Sequence, residues 1–554
     1  MKKMLSDTWS VLTAHEKRRF VLLCLLDIIV SIADIAALAL LIWIVQFYMN
    51  PAFPAIRLLP AWMADRHSAG LIAVFVVLFG IKNIAAYLLG RAESRFIAKV
   101  AVRISAINLA NYQHGSFDDF VRVDSSVLIR RIALQPFEFA QYILAGIQQL
   151  LTQSVLITLA IVAILLFNAK LFLLLLLILL PPVVAVFYGL KKRLNKAKTD
   201  IRDSNERSYR HLLDALKGFV EANVYGRNAF FMKRFLNERR RFSAAVFDSL
   251  SLQNLPSRVI EIFAVLGLFI LILIANGTQA GQADGLLTIG AFMAAAYKII
   301  PGMVRVINVT GQMRAYENAI TDLVPKNVRD PGNRALKPST PIQSISFSDV
   351  SFCYTDRSVL NDVSFTVTQG DFLGISGPSG LGKTTVFNLL LGFLEPASGQ
   401  IAINGKVVSP ADAVAYWPAL SYVRQQSFFI HDTIAKNITL DDDHVDDQRL
   451  AVIMQVTGIT TEVFPEGASK VITENGKNIS GGQQQRIAIA RALYKNADVF
   501  LLDEAFNELD EASATRIIEY FVELSRKERI VLMITHDQHY LRYCTKTISL
   551  DEKG

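Results

Sequence analysis

Cysteine and charge are both scarce in this 554-residue chain, and each scarcity excludes a class of protein. The three cysteines, Cys24, Cys353 and Cys544, are far apart and form no C-x-x-C pair, which excludes a disulfide framework and a cysteine-based zinc site. Only 19% of the residues are charged, against about 25% in an average soluble chain, so we exclude a disordered or nucleic-acid-wrapping protein and expect no nucleic-acid partner. The hydrophobic content of 52% and the mean hydropathy of +0.34 indicate instead that lipid is part of the solvent.

The apolar residues are concentrated before about residue 310, where six stretches are long enough to cross a membrane. A spanning helix needs roughly 20 mostly apolar residues. The predicted spans are approximately 20–48, 70–90, 138–167, 169–190, 256–276 and 284–309. The first is too long for a signal peptide and is followed by the others, so we predict that it is a retained span within the lipid bilayer.

The placement of lysine and arginine predicts the orientation of these spans. Basic residues cluster before the first span, after the second and after the fourth, whereas the loop 276–284 between the fifth and sixth has none. Under the positive-inside rule, the N-terminus and the part of the chain after the sixth span are then cytoplasmic. This predicts a multi-pass protein of the plasma membrane, which in bacteria is the inner membrane. The outer segment 49–69 fits a short interfacial helix or an ordinary loop about equally well.

Composition also divides the chain into domains. The hydrophilic stretches 91–136 and 191–255 keep a helical periodicity and contain glycine turns near 114–118 and 215–219. They are predicted to be cytoplasmic extensions of membrane helices, joined by short coupling helices. A proline-rich segment follows and indicates a linker. The predicted organisation is a transmembrane domain over 1–321, a linker over 322–342 and a soluble α/β domain over 343–554.

A phosphate-binding loop is the first chemical motif of the soluble domain. Residues 377–384 match G-x-x-x-x-G-K-[ST], after an apolar stretch at 372–376 and before a helical stretch. In this context the glycines let backbone N–H groups face phosphates, and the helix N-terminus adds a favourable dipole. Lys383 is predicted to bind the β- and γ-phosphates and Thr384 to bind Mg²⁺. The predicted nucleotide-binding residues here are Gly377, Pro378, Ser379, Gly380, Leu381, Gly382, Lys383, Thr384 and Thr385.

An apolar stretch that ends in two carboxylates supplies the second part of a nucleotide site. Residues 499–502 precede Asp503 and Glu504. Asp503 is predicted to reach Mg²⁺, and Glu504 to activate the attacking water as a general base. An acidic strand end alone is typical of solvated surface, but its occurrence together with the phosphate loop favours the catalytic interpretation.

A third motif carries a family resemblance. Residues 479–483, Ile-Ser-Gly-Gly-Gln, followed by QQRIAIARAL, resemble the signature of the ATP-binding-cassette (ABC) family, and the resemblance covers essentially the whole chain. It implies an exporter-type half-transporter, in which an α-helical membrane bundle of six transmembrane helices with the type IV exporter fold precedes an α/β P-loop NTPase domain. Other family motifs follow in order. They imply an adenine-stacking Tyr354, a Q-loop Gln425 that contacts the metal, a coupling-loop Glu474, a D-loop ending at Asp510 and a switch His536.

The resemblance also implies an assembly. In this family the signature binds the γ-phosphate of ATP held on the opposite domain, so Ser480 and Gly482 of one copy are expected to face Lys383 of another. This implies a homodimer with two ATP and Mg²⁺ at its interface. The signature residues implied to contact nucleotide are Ser480, Gly481, Gly482 and Gln483. The catalytic residues implied are Lys383, Gln425, Glu504 and His536. The D-loop departs from the family pattern, since residues 507–510 read Asn-Glu-Leu-Asp, which puts its contacts across the dimer in doubt.

Ionisable residues inside the predicted spans carry the substrate hypothesis. Lys82 lies in the second span, Arg258 begins the fifth and Lys298 lies in the sixth. Each charge costs roughly 2.5–3.5 kcal/mol at the centre of a bilayer. Because acids such as Asp34 and Glu261 are also present, one interpretation is that acids and bases neutralise one another structurally. The other is that the three cations line a cavity and attract an anionic head group such as phosphate or pyrophosphate.

A narrower resemblance favours the second interpretation. Segments 255–262 and 296–305 and the outer insertion 49–69 are similar to the bacterial lipid-linked-oligosaccharide flippase branch of exporters. This implies transfer of a polyprenyl-pyrophosphate-linked glycan to the outer leaflet. An exporter of lipids, hydrophobic drugs or small peptides remains an alternative. A non-transporting membrane ATPase or channel-like regulator is an alternative of another class, which the complete set of hydrolytic residues disfavours.

Overall fold

The computed structural model describes residues 2–49, 68–113, 115, 117, 121, 123–167, 181, 189, 193, 196–197, 199–277, 299, 301–321, 341–354, 357–378 and 380–550. The chain divides into two units, one formed by Met1–Gly115 with Arg122–Pro331 and the other by Ser116–Val121 with Gly332–Gly554. The division falls within the predicted linker 322–342, of which only 341 and 342 are among the described residues.

Long helices make up the first unit. They are α1 (Lys2–Val11), α2 (Ala14–Met49), α3 (Gly70–Gln113), α4 (Ser125–Ile129 through Ala145–Phe167), α5 (199–217), α6 (Phe219–Val224), α7 (Asn228–Gly277), α8 (301–315) and α9 (Asn318–Thr321). At about 1.5 Å per residue, the 44 residues of α3 and the 50 residues of α7 are longer than a hydrocarbon core of about 30 Å requires. Each of these two helices therefore combines an apolar part with a polar extension.

Within the described residues, 3 helices are long and apolar enough to cross a membrane: Ala14–Ala37, Gly70–Gln113 and Ser125–Val162. They overlap the first three predicted spans. The fifth predicted span lies in α7. The fourth, 169–190, lies outside the described residues except for positions 181 and 189, and the sixth is described only at 299 and from 301 onward. Most of the outer segment 49–69 also lies outside them.

The first half of α3 carries exposed apolar side chains. Val76, Val77, Ile81 and Ile84 are 59%, 60%, 59% and 62% exposed. Soluble proteins rarely leave such a contiguous apolar surface uncovered. The apolar half of α3 thus exposes the kind of surface that a membrane-spanning helix presents.

Buried aromatic and aliphatic side chains hold the helices of the first unit together. The helix α4 contains two π-helical segments, Arg130–Leu134 and Phe139–Leu144. Phe139 is fully buried and belongs to one core with Phe96 and Val100 of α3. This core fixes α3 and α4 side by side.

Strands and helices alternate in the second unit. Its elements are β1 (Ser344–Tyr354), β2 (Arg357–Thr368), β3 (Phe372–Ser376), α10 (Lys383–Leu390), β4 (Ser398–Ile403), β5 (Lys406–Val407), α11 (Pro410–Ala413), β6 (Leu420–Val423), β7 (Asp432–Thr433), α12 (Ile434–Thr439), α13 (Asp447–Thr457), β8 (Val471–Ile472), α14 (Gly481–Tyr494), β9 (Val499–Asp503), α15 (Glu511–Arg526), β10 (Ile530–Ile534), α16 (Gln538–Leu541) and β11 (Lys546–Ser549). An antiparallel sheet has the order β2-β1-β4-β5, a parallel sheet has the order β11-β3-β10-β9-β6, and β7 pairs with β8.

The parallel sheet carries a core on each face. All residues of β9 are buried, which is typical of a strand covered on both sides. Alternate side chains of a strand point to opposite faces. Phe500 and Leu502 accordingly join the core that contains α14 and α15, whereas Val499 and Leu501 join the core that contains α10. Asp503 then stands at the carboxyl end of the strand, the edge at which open α/β sheets bind ligands.

Two short segments mark the predicted cytoplasmic turns. Near 215–219, Gly218 ends one helix and the short helix α6 follows. Near 114–118, Phe117 belongs to the second unit, where its ring stacks on that of Phe393 with centroids 4.7 Å apart. The rings of Phe393 and Trp417 in turn make an edge-to-face contact, with centroids 5.7 Å apart. Phe117 is thus anchored through an aromatic contact in the second unit.

Candidate nucleotide site

The phosphate loop connects β3 to α10, and two of its glycines illustrate why the loop needs this residue type. Gly377 and Gly382 have φ values of +142° and +85°, conformations that residues with side chains rarely adopt. A Cβ on Gly382 would lie 2.5 Å from Cγ1 of Val359, so a side chain would also clash. The backbone at Gly382 is therefore fixed directly before the first turn of α10.

Lys383 begins α10, and the loop itself binds its side chain. The residue is 6% exposed, and its ammonium group donates hydrogen bonds to the carbonyl oxygens of Gly377 at 2.7 Å and Pro378 at 2.9 Å. An ammonium group has three protons, so one remains for a phosphate oxygen. The first N–H groups of α10 have no acceptor within the helix and suit the same anion.

Asp503 ends β9 and is only 2% exposed. Its Oδ2 accepts hydrogen bonds from the hydroxyl groups of Thr384 at 3.0 Å and Tyr422 at 3.2 Å. Burial raises the pKa of Asp503, and the two hydroxyl donors oppose this rise. Because the Thr384 hydroxyl donates a hydrogen bond to Asp503, the lone pairs of the hydroxyl oxygen remain for a cation. The two residues thus offer the oxygen ligands that Mg²⁺ prefers.

Glu504 lies in a strained backbone conformation and is surrounded by polar side chains. Its φ of +50° is uncommon for a residue with a side chain. Oε2 of Glu504 accepts hydrogen bonds from the amide of Gln425 at 2.8 Å and the amide of Asn507 at 3.0 Å, and Oε1 lies 3.8 Å from Nδ1 of His536. Such strain persists where contacts over-determine a functional position. The structure therefore brings Gln425 and His536 together on one carboxylate.

Ser480 caps α14 through reciprocal hydrogen bonds with Gln483. The Ser480 hydroxyl accepts from the N–H of Gln483 at 3.3 Å, and Oε1 of Gln483 accepts from the N–H of Ser480 at 3.1 Å. The amide of Gln483 also donates to the carbonyl of Val463 at 3.0 Å, so this side chain is engaged within its own chain. Ser480 and Gly481 are exposed and Gly482 is half-buried. The N-terminus of α14 is therefore open to an anion from outside the chain.

The D-loop packs against the signature glycines. A Cβ on Gly481 would lie 2.9 Å from Oε2 of Glu508, and one on Gly482 would lie 2.7 Å from the carbonyl oxygen of Glu508. Asp510 accepts a hydrogen bond from Arg486 at 2.7 Å and caps the N-terminus of α15. Asp510 therefore connects the D-loop to the signature helix within one chain.

The other predicted nucleotide residues have simpler surroundings. Tyr354 ends β1 and is 48% exposed, and its ring makes an edge-to-face contact with that of Phe352, with centroids 4.8 Å apart. This leaves ring surface for contact with a base. Gly380 and Leu381 lie in the loop, Thr385 is 6% exposed within α10, and Ser379 lies outside the described residues.

Two of the three predicted membrane cations pair with acids. The ammonium group of Lys82 on α3 forms an ion pair with Oδ1 of Asp34 on α2. The guanidinium group of Arg258 lies 3.2 Å from Oε2 of Glu261, one turn along α7. Lys298 lies outside the described residues. These pairs are compatible with both interpretations of the cations, so their role in substrate binding stays a prediction.

Sequence reasoning did not identify two residues that contact the carboxylates, Tyr422 and Asn507. Tyr422 precedes Gln425 by three residues on β6, and β6 pairs with β9 in parallel. Asn507 follows Glu504 by three residues, in the D-loop that departs from the family pattern. The available signal for the first contact was a tyrosine near the end of the strand before the Q-loop. For the second contact it was Asn507, at which the D-loop departs from the family pattern.

Comparisons with known proteins agree with this geometry. Residues 21–295 match the family model described as the ABC transporter transmembrane region, and residues 360–507 match the one described as ABC transporter. The chain is 26% identical over 485 residues to the ATP-dependent lipid A-core flippase of Paraburkholderia xenovorans (strain LB400), covering 85% of this chain and 80% of that protein. It is 32% identical over 240 residues to the mycobactin import ATP-binding/permease protein IrtB of Mycolicibacterium thermoresistibile, covering 43% and 41%.

A solved structure of a bacterial Atm1-family ABC exporter with ATP bound matches with a TM-score of 0.78 and 20% identity, over 97% of this chain and 94% of that chain. This likeness confirms the predicted fold class, a type IV exporter fold. The ATPase-family match lies over the phosphate loop and the strand that ends in Asp503, so the protein binds ATP and couples its hydrolysis to transport across a membrane. The chain therefore belongs to the ABC transporter family, as an exporter-type half-transporter in which a transmembrane helical domain is fused to an ATP-hydrolysing domain.

Proposed function

We propose that the chain forms a homodimeric flippase that moves an anionic, lipid-linked substrate of the polyprenyl-pyrophosphate oligosaccharide class from the inner to the outer leaflet. The observation that carries the substrate class is the largely buried cation Lys82 between two apolar helices. The similarity to a lipid A-core flippase over most of the chain supports a lipid substrate in general. The distribution of lysine and arginine supports a cytoplasmic N-terminus and ATPase domain in the bacterial inner membrane.

The exposed signature motif supports a dimer with two ATP at its interface. In one chain, Ser480 and Gly481 face outward at the N-terminus of α14, where an anion would be stabilised. Lys383 and the N-terminus of α10 form a separate cradle on the same chain. In the proposed dimer, Ser480 and Gly482 of each copy face the γ-phosphate of ATP bound at Lys383 of the other. Binding of ATP then favours the closed pair only as far as the closed pair binds it better.

The proposed hydrolytic step assigns a role to each group around Glu504. Thr384, Asp503 and Gln425 would hold Mg²⁺, which when bound neutralises charge on the phosphates. Glu504 would accept the proton of the attacking water as its general base. The Gln425 amide donates to Oε2 of Glu504 and fixes the orientation of that carboxylate. His536 lies on the side of Oε1 and would contact the γ-phosphate.

The surroundings of Lys82 support a replacement of its partner Asp34 by the head group of the substrate. Its ammonium group pairs with Asp34 and lies 4.5 Å from the ring centroid of Phe79. The side chain of Lys82 is 15% exposed, and that of Asp34 is 45% exposed. An unpaired charge at this depth costs roughly 2.5–3.5 kcal/mol, so Lys82 needs an anionic partner throughout the cycle. A head-group phosphate could replace Asp34 through charge-assisted hydrogen bonds without leaving Lys82 unpaired.

A second replaceable partner lies on α7. Arg258 and Glu261 form their ion pair with side chains that are 81% and 54% exposed. Exposed pairs of this kind contribute little stability, so a phosphate would displace Glu261 at small cost. We therefore propose that Lys82 and Arg258, together with Lys298, bind the pyrophosphate group of the substrate.

Reconstitution tests the substrate proposal. The purified protein in proteoliposomes is given a polyprenyl-pyrophosphate-linked glycan, and both the stimulated ATPase rate and transfer between leaflets are measured. Lys82→Gln is expected to weaken the apparent affinity for the glycolipid by about tenfold, and Asp34→Asn to strengthen it by several-fold, because Asp34 competes for the same ammonium group. Lys99→Gln makes the same charge change at an exposed position of α3 and should alter neither quantity.

Other outcomes would support a different function. Stimulation by a neutral lipid, a hydrophobic drug or a small peptide, but not by the pyrophosphate lipid, would establish the alternative exporter. A rate of transfer between leaflets that is the same with and without ATP would show that hydrolysis does not drive transfer. It would indicate a non-transporting ATPase or channel-like regulator. Equal affinities in Lys82→Gln, Asp34→Asn and the wild type would overturn the proposed head-group site even if the glycolipid were transported.

A further inference from the structure

Asp503 is held by donors from two separate elements, a helix and a strand. Its Oδ2 accepts one hydrogen bond from Thr384 at the start of α10 and one from Tyr422 at the end of β6. Among the described residues, Oδ1 accepts no hydrogen bond. One oxygen of this buried carboxylate is therefore saturated by protein donors, and the other is left for an external ligand.

The two donors have different chemical capacities. The Thr384 hydroxyl can donate to Asp503 and coordinate a cation at the same time, since its lone pairs are free. The hydroxyl of Tyr422 already donates to Oδ2 and adds a second restraint on the rotation of the carboxylate. Together with the Thr384 hydroxyl, it leaves Oδ1 as the oxygen of Asp503 that faces away from the protein donors.

Packing holds the Tyr422 hydroxyl in place. The ring meets the edge of Phe387 on α10, with centroids 5.9 Å apart and planes at 89°. The backbone of Tyr422 pairs with Leu501 in the parallel ladder between β6 and β9. Since Leu501 precedes Asp503 by two residues, strand pairing sets the distance from the ring to the carboxylate.

We propose that Tyr422 is a positioning residue for the Mg²⁺ ion of the nucleotide site, acting through its hydrogen bond to Asp503. The proposal rests on the proposed role of Asp503 in holding that ion. It also gives the end of β6 a double function, because Gln425, three residues later, contacts Glu504. One strand end then orients both the carboxylate that binds the metal and the carboxylate that activates water.

Substitution by phenylalanine tests the hydroxyl alone. Tyr422→Phe keeps the ring against Phe387 and removes one donor from Asp503. Loss of a hydrogen bond to a metal ligand typically weakens metal binding 10–100-fold, so we expect the Mg²⁺ concentration for half-maximal ATPase to rise at least about tenfold. The rate lost at low Mg²⁺ should be recovered at high Mg²⁺, because Thr384 and Asp503 are still present.

Equilibrium binding supplies a readout that does not depend on turnover. In a Glu504→Gln background, ATP affinity is measured by titration in EDTA and again over a range of Mg²⁺ concentrations. Tyr422→Phe should leave the metal-free affinity unchanged and shift only the Mg²⁺ dependence. Tyr494→Phe is the matched control, since it removes a hydroxyl that accepts a hydrogen bond from the N–H of Asp446 at 2.9 Å. Tyr494→Phe should change neither the metal-free ATP affinity nor its dependence on Mg²⁺.

The outcomes separate this inference from the proposed metal role. The inference is overturned if the Mg²⁺ concentration for half-maximal effect in Tyr422→Phe lies within twofold of the wild-type value. It is also overturned if Tyr494→Phe shifts that concentration as much as Tyr422→Phe does. ATP hydrolysis that needs no divalent cation would instead overturn the role of Asp503 itself. Tyr422→Leu removes ring and hydroxyl together, so it should show the same Mg²⁺ shift with a lower unfolding temperature. A lower unfolding temperature without the shift would reduce Tyr422 to a packing residue.

Discussion

Replacing Glu504 by glutamine changes the chemistry of the nucleotide site with the smallest change in shape. In the wild type, Oε2 of Glu504 accepts hydrogen bonds from Gln425 at 2.8 Å and Asn507 at 3.0 Å, and Oε1 lies 3.8 Å from His536. A glutamine keeps one acceptor oxygen, which can still receive one or both amide donors. Its NH₂ group replaces the other oxygen and cannot take a proton from water. The substitution therefore removes the base and keeps the surrounding frame.

The expected magnitude follows from the role of a general base. Proton transfer to a positioned base contributes about 10²–10⁴-fold in rate. At 1.36 kcal/mol per tenfold, this corresponds to about 2.7–5.4 kcal/mol of transition-state stabilisation. The affinity for ATP should change by less than about threefold, which is under about 0.7 kcal/mol, because Lys383 and the N-terminus of α10 are unaltered.

Phosphate release and nucleotide binding should be measured on the same preparation. Glu504→Gln is compared with Glu511→Gln, which makes the same change at an exposed carboxylate in the first turn of α15. The control should hydrolyse ATP within about twofold of the wild type. Hydrolysis at a near-normal rate by Glu504→Gln would refute the assignment of Glu504 as the base.

Two further predictions concern the ATPase domain. Gly382→Ala should weaken ATP binding at least about tenfold in an equilibrium titration, since the new Cβ would lie 2.5 Å from Val359 at a φ of +85°. The double variant Gly382→Ala with Val359→Ala should recover only part of this loss, because the backbone strain remains. Full ATP affinity in the single variant would contradict the prediction. Burial raises the pKa of the Cys544 thiol to about 12, so at pH 8 its thiolate fraction is only about 10⁻⁴. Peptide mapping of the folded protein should therefore find maleimide on the exposed Cys353 and not on Cys544, and equal labelling of the two thiols would contradict the raised pKa.

The phosphate loop and the two carboxylates at the end of β9 could be located from the sequence because their spacing and their flanking apolar stretches occur together. Gly382 needs a left-handed backbone, Lys383 starts a helix, and Asp503 ends a buried strand; each of these is a local consequence of a few neighbouring residues. The first, second and third spans were predictable for the same reason, since length and hydropathy are local properties.

Contacts between distant segments were not predictable in the same way. The bond from Tyr422 to Asp503 depends on β6 lying beside β9, and the order of strands in a sheet cannot be read from one sequence. The pair of Lys82 and Asp34 depends on how α2 and α3 are rotated about their axes. Gln483 was assigned to nucleotide binding, and the structure adds a structural role, because its amide caps α14 and donates to a loop carbonyl.

The central claim is that each ATP is bound by the phosphate loop of one copy and the signature of the other. It can be tested by mixing two variants that carry different affinity tags, Lys383→Ala and Ser480→Arg, both in a Glu504→Gln background that prevents hydrolysis. A site shared between copies leaves one intact pair in every mixed dimer, formed by Lys383 of the second variant and Ser480 of the first. We predict that each parent dimer occludes no ATP and that the purified mixed dimer occludes one. Mixed dimers that occlude none, as expected if each site were built within a single chain, would contradict the account.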